Sequence, residues 1–159
     1  MKKIAAVSAA GLIVSALAGI FIGVTTYTFT YAEGLSYLSD DPKACVNCHV
    51  MQENYDGWQG GSHHARATCN DCHVPHSSML AKYTTKAEHG WRHSKAFTLQ
   101  NFHEPIRMKE KSYADVVANC VRCHEGVTHE MRLGADWGGK EEPVDCIRCH
   151  ASVAHGPVR

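Results

Sequence analysis

All eight cysteines of this chain fall in four Cys-x-x-Cys-His units: Cys45, Cys48 and His49; Cys69, Cys72 and His73; Cys120, Cys123 and His124; Cys146, Cys149 and His150. Two thiols about one helical turn apart can form thioether bonds to the two vinyl groups of a haem, and the adjoining histidine then faces the iron as proximal ligand. Cys-x-x-Cys pairs also bind zinc, form redox disulfides or staple small secreted domains, but none of these uses needs a histidine directly after every pair. The pattern therefore predicts four covalently bound c-type haems and one-electron transfer.

Twelve histidines are present, and removing the four adjoining ones leaves His63, His64, His76, His89, His93, His103, His129 and His155 as candidate distal ligands. The third and fourth units repeat one pattern, C-x-R-C-H-x-x-V-x-H, ending in His129 and His155. A histidine five residues past a unit cannot easily curl round to the opposite face of its own porphyrin, so these two are expected to reach a neighbouring haem. Shared ligands of that kind imply stacked haems in close contact, as multi-step electron transfer requires. The first unit reads Cys-Val-Asn-Cys-His49-Val-Met51, so either Met51 replaces His49 on the iron or it packs against the macrocycle.

The elements that must hold these groups are few. With 159 residues, 44% of them hydrophobic, the chain suggests one domain with a thin polypeptide core, in which porphyrins supply most of the apolar bulk. Formal charge is zero, which gives no reason to expect a nucleic acid or polyanionic partner; scattered Lys and Arg are read as solvated surface or propionate neighbours.

From Ile4 to Ala32 there is no charged side chain, enough to cross about 30 Å of hydrocarbon at about 1.5 Å per residue. The run is too long for a signal h-region, so an uncleaved anchor is expected over 1–32, with a haem domain over 33–159. Lys2 and Lys3 place the N-terminus inside, making the chain a single-pass protein of the bacterial cytoplasmic membrane with its haem domain in the periplasm. Tyr27, Tyr31 and Tyr37 then lie near the outer interface, and Gly11, Ala16, Gly19 and Gly23 allow a homo-oligomeric helix contact. Beyond the anchor the expected fold is mainly α with extensive loops, a compact multihaem cytochrome c domain organised around four haems. Read as a helix, 79–97 puts Lys82, Lys86, His89 and His93 on one face beside an apolar stripe of Met79, Tyr83, Ala87 and Trp91. Such a helix either lies at the membrane with its basic side toward headgroups or covers a haem.

The order C-x-x-C-H-x-M, then C-N-D-C-H-x-P-H at Cys69 to His76, then two later units behind one N-terminal span, resembles the NapC/NirT family of quinol-oxidising tetrahaem cytochromes. The likeness is strongest to those members that serve the pentahaem catalytic subunit of cytochrome c nitrite reductase. It implies oxidation of (mena)quinol and transfer of electrons to that partner, where nitrite is reduced. It also implies Met51 as ligand of the first haem, with His49 a structural neighbour, and proximal His73, His124 and His150. His155 and His64 match the distal ligands of the second and third haems. Lys86 matches a lysine of the quinol site, and His93 stands near an acidic residue of that site, where it either accepts protons or ligates the first iron. The fourth distal position falls to a lysine of the partner or to His129. Other readings within reach are a quinol dehydrogenase serving nitrate, trimethylamine N-oxide or several reductases, and a released soluble tetrahaem shuttle.

Overall fold

A computed structural model describes residues 8–134 and 145–157. Lys2 and Lys3, on which the expected orientation rests, lie outside them. The chain divides into two compact units, the first ending at Ser36 and the second beginning at Tyr37.

The first unit is built on α1 (Ala9–Tyr31), 23 residues of mean hydropathy 2.0 and the single described helix long and apolar enough to span a membrane. Ser8 caps its start, accepting a hydrogen bond from the Gly11 N–H at 3.2 Å. Glu33 ends it with a left-handed φ of 49°, and its N–H reaches back to the Thr30 carbonyl at 3.1 Å. At about 1.5 Å per residue the helix is roughly 34 Å long, close to the thickness of a hydrocarbon core. None of its side chains is buried by protein, so the apolar rod is left bare on all sides, consistent with a membrane anchor. Tyr27 and Tyr31 stack at 5.9 Å near its C-terminal end, where aromatic side chains suit a membrane interface.

The second unit holds every Cys-x-x-Cys-His motif. It runs through short 3-10 segments at Pro42–Asn47 and His49–Met51, then α2 (Gln52–Gln59), α3 (Cys69–His73), α4 (Met79–Leu99), α5 (Glu110–Cys123), α6 (Glu125–Gly134) and α7 (Cys146–Cys149). The mainly α expectation matches this order, and no strand occurs among the described residues. Only Trp58 and Val74 are buried apolar residues in the described core. Polar clamps do much of the remaining work. Asn119 on α5 donates to the carbonyls of Cys72 at 3.0 Å and Val74 at 2.8 Å, closing the C-terminal end of α3. Arg122 adds a bond to the Asp71 carbonyl at 3.2 Å, so the second and third motifs are locked together by their own flanking residues. At the other end of α5, the Tyr113 hydroxyl donates to Asp145, which also caps α7 by accepting from the Arg148 N–H at 3.2 Å.

Replacing Asn119 by Ala leaves two carbonyls without their donor and should lower stability by roughly 1–3 kcal/mol. A thermal melt followed in the haem absorption region measures it; an unchanged midpoint would mean that the α3 end is held by something else.

Candidate functional site

Each motif presents its two thiols from a helical turn: Cys69 and Cys72 on α3, Cys120 and Cys123 in the last turn of α5, Cys146 and Cys149 on α7, and Cys45 in the 3-10 segment that ends beside Cys48. None of the eight is in a disulfide. The thiols form a connected series. The Cys45 thiol shares a hydrogen bond with Cys69 that holds it down to about 7 and pushes Cys69 up. Burial raises Cys72, with Asp71 and Cys123 adding to the effect, and burial raises Cys120, with Cys146 and Cys72 adding. Electrostatic contact thus runs from the first unit to the second, third and fourth in chain order.

Two histidine pairs test whether a haem fits. A metal–imidazole bond of about 2.0 Å on each side, plus roughly 1.1 Å from nitrogen to ring centre, puts two rings sharing one metal about 6 Å apart. His73 and His155 have ring centroids 6.0 Å apart with planes inclined by 29°. Cys69, Cys72, His73 and His155 line one cleft with Trp58, His63 and Ala154. His155 donates from Nδ1 to the Asn54 carbonyl at 2.8 Å, which leaves the lone pair on Nε2, the atom an axial ligand must offer. Burial, with His155 and His89 adding, lowers His73 to about 4, so its ring is neutral as ligation requires.

The second pair is His63 and His124, with centroids 6.1 Å apart. His63 Nδ1 is buried without a hydrogen-bond partner, an orphan that an unfilled role would explain. His64, the residue the family resemblance singled out, is exposed and lies edge-on to Trp58 at 4.7 Å. Adjacent residues in a turn point to different sides, and here it is His63 that turns toward the third unit. His89 and His93 also stack, at 5.9 Å, but they are i,i+4 neighbours on α4 and neither follows a cysteine pair. The residues present therefore fit c-type haem at the second and third units.

At the first unit, Met51 is half-buried and accepts from Asn54 Nδ2 at 4.0 Å, while His49 is exposed. Around it gather residues of α4 and the segment before Cys45. Lys86 is buried, and its ammonium donates to the Ser39 carbonyl at 2.7 Å, Asp40 Oδ1 at 2.7 Å and the Leu38 carbonyl at 3.3 Å. Lys82 pairs with the other Asp40 oxygen at 2.5 Å. This corrects the reading of a basic face turned to headgroups: Lys82 and Lys86 face inward onto Asp40, while Met79, Leu80, Tyr83 and Trp91 are exposed. The Tyr37 hydroxyl, pushed up to about 12 chiefly by burial, keeps its proton and lies within hydrogen-bond distance of His93 Nδ1, at 3.3 Å. Desolvation on its protein side pulls His93 below its usual range. His76 is taken up by the Asn70 carbonyl at 3.3 Å. His129, on α6, and His150 are exposed, as are Cys123 and Cys149. Sequence reasoning passed over His63 as an individual, Asp40, Asn54 and the hydrogen bond of Tyr37; only His63 carried a signal, its place beside His64.

Residues 5–115 match the profile of the NapC/NirT cytochrome c family, N-terminal region. The chain is 43% identical over 117 residues to the cytochrome c-type protein NrfH of Wolinella succinogenes, covering 74% of this chain and 66% of that one. It is 36% identical over 112 residues to the cytochrome c nitrite reductase subunit NrfH of Nitratidesulfovibrio vulgaris, covering 68% and 65%. The chain thus spans just under two thirds of the length of these relatives. A chain of the solved cytochrome c nitrite reductase NrfHA complex bound to the inhibitor HQNO superposes with a TM-score of 0.63 at 30% identity, covering 91% of this chain and 92% of that one.

Two outcomes are expected. His63→Ala should convert one haem from low to high spin in the electron paramagnetic resonance spectrum while His64→Ala leaves it low spin; the reverse result would hand the ligand role to His64. The Lys82 and Lys86 hydrogen bonds depress Asp40 from 3.8 to about 2, so its contribution to stability is complete above about pH 4 and is lost as pH falls toward 2. An acid titration of the wild-type chain should show that loss, and Asp40→Asn should abolish it.

Proposed function

Because the chain belongs to the NapC/NirT cytochrome c family, we propose that it is the membrane-anchored subunit that oxidises menaquinol and passes the electrons to the pentahaem catalytic subunit of a cytochrome c nitrite reductase. The observation that carries the proposal is the His73 ring set 6.0 Å from that of His155, across from the second Cys-x-x-Cys-His unit, in a chain that superposes at a TM-score of 0.63 on one of the cytochrome c nitrite reductase NrfHA complex. Bound to the four cysteine pairs, four iron porphyrins supply one-electron exchange. Cys45 and Cys48 would hold the first with Met51 as ligand. Cys69 and Cys72 would hold the second between His73 and His155, Cys120 and Cys123 the third between His124 and His63, and Cys146 and Cys149 the fourth on His150.

The residues of the chain do the remaining work. Oxidation of a quinol releases two protons along with two electrons, and a neutral imidazole near pH 7 takes up a proton readily. His93 is that acceptor: desolvation keeps it neutral, and the Tyr37 hydroxyl, 3.3 Å from Nδ1, holds the ring in place. Lys86 has its donors filled by protein acceptors, so its part is to fasten residues 38–40 next to the first unit. The exposed Cys149 and His150 suit a fourth site that faces a protein partner, which would complete it with a lysine; His129 is the intramolecular rival. With α1 in the cytoplasmic membrane, quinol approaches from the lipid and the haem unit lies in the periplasm.

Gentle solubilisation of the native membrane should bring down a haem-stained band of this chain with the catalytic subunit, active in quinol-driven nitrite reduction. His93→Ala should slow that reaction by roughly 100-fold or more while dithionite-driven reduction of the haems is unchanged. Full quinol oxidation by the variant would remove His93 from the chemistry, and a band without covalent haem would remove the reading altogether.

A further inference from the structure

Gly57 sits inside α2, yet no left-handed backbone angle requires a glycine there. The reason is contact. A Cβ built on Gly57 would lie 2.2 Å from the His155 carbonyl oxygen, 2.7 Å from its carbonyl carbon and 3.1 Å from its Cα. Those are backbone atoms, which cannot swing aside as the tip of a side chain can. One turn earlier on the same helix, the Asn54 carbonyl accepts the hydrogen bond from His155 Nδ1 at 2.8 Å. Just past the helix, a Cβ on Gly61 would come within 3.2 Å of the Trp58 carbonyl and within 3.4 Å of the Ala154 carbonyl.

From this geometry we propose that α2 is the seat of the His155 turn and that Gly57 is a positioning residue for the distal ligand of the second haem. The inference rests on the reading of His155 as that ligand. The flat face at Gly57 sets how deep the His155 backbone sits, and the Asn54 carbonyl sets which way its ring turns. Together they aim Nε2 across the cleft toward His73. The turn itself is closed by the Val153 N–H on the His150 carbonyl at 3.1 Å and by the Gly156 N–H on the Ser152 carbonyl at 3.0 Å, with Gly156 at a φ of 73° that favours glycine. Any side chain at 57 therefore lifts the ring together with its backbone.

The test uses the full chain in detergent, with four readouts: covalent haem per chain, the low-spin to high-spin ratio by electron paramagnetic resonance, the same ratio after adding free imidazole, and the ratio in His155→Ala. Gly57→Ala should keep its full covalent haem and lose the low-spin signature of one haem, which imidazole restores. Gly61→Ala, with its milder approach, should give a partial loss. Gly60→Ala should match wild type, because its Cβ meets only ordinary contacts at 3.6 Å or more. If Gly57→Ala does not accumulate, the Gly61 variant decides, and a fully low-spin Gly61→Ala overturns the proposal. A fully low-spin Gly57→Ala beside a converted His155→Ala refutes the seat and leaves the ligand in place. A fully low-spin His155→Ala refutes the ligand reading on which the seat depends.

Discussion

Two buried apolar side chains cannot hold together a unit that begins at Tyr37, and this constraint governs everything else in the described structure. Ordinary domains of this size order their chains by burying apolar surface, with hydrogen bonds fixing the details. Here the order is reversed. The helices that carry the cysteine pairs are short, joined by turns, and positioned by carbonyl-directed bonds from Asn119, Arg122, Trp58 and Lys86. Such bonds fix geometry well but stabilise only modestly, because each replaces a bond to water. A flat apolar group anchored through two sulfurs and one or two axial ligands adds what the polypeptide lacks, and in a cytochrome c that group is the haem.

That dependence explains where the polar burial occurs. Lys86 and Asn119 are both buried, and both reach backbone carbonyls next to an attachment site rather than solvent. A buried ammonium is tolerable only when its donors are filled and a countercharge is near. Asp40 provides that countercharge, and it lies just ahead of the 3-10 segment bearing Cys45. The pair therefore converts an electrostatic requirement into the placement of the first attachment site.

Much of this was legible in the sequence, and the limits were physical. Thiol spacing marks the four Cys-x-x-Cys-His units because thioether chemistry tolerates little variation, and the apolar run marks α1 because bilayer thickness sets its length. The reach of His155 to a different unit followed from the impossibility of curling round its own porphyrin, and the structure sets it opposite His73. His63 could not be separated from His64, since one position along a turn rotates a side chain to another side and no periodic pattern surrounds the pair. Of the two readings left open for α4, the one with its basic side toward headgroups fails, because helical spacing reports which residues share a face, not what that face meets. Its partner, Asp40, lies 46 residues before Lys86. Gly57 was invisible for the same reason: a glycine demanded by approach of a distant backbone looks like any other glycine.

The two ends of the thiol series are built differently, and the difference bears on direction. At the first unit, Tyr37 and Lys86 lie beside the cysteine pair, and residues 38–40 are pinned by charge. At the fourth, Cys149 and His150 are exposed on a four-residue helix held by its cap on Asp145. A small molecule that must shed protons as well as electrons needs a fixed, partly desolvated pocket with an acceptor of tuned basicity. A protein partner needs the opposite, an accessible edge that brings a haem close without rebuilding the site. The charge-pinned end suits electron entry and the exposed end suits delivery, so the proposed flow from quinol to reductase follows the chain from its N-terminal unit to its C-terminal one.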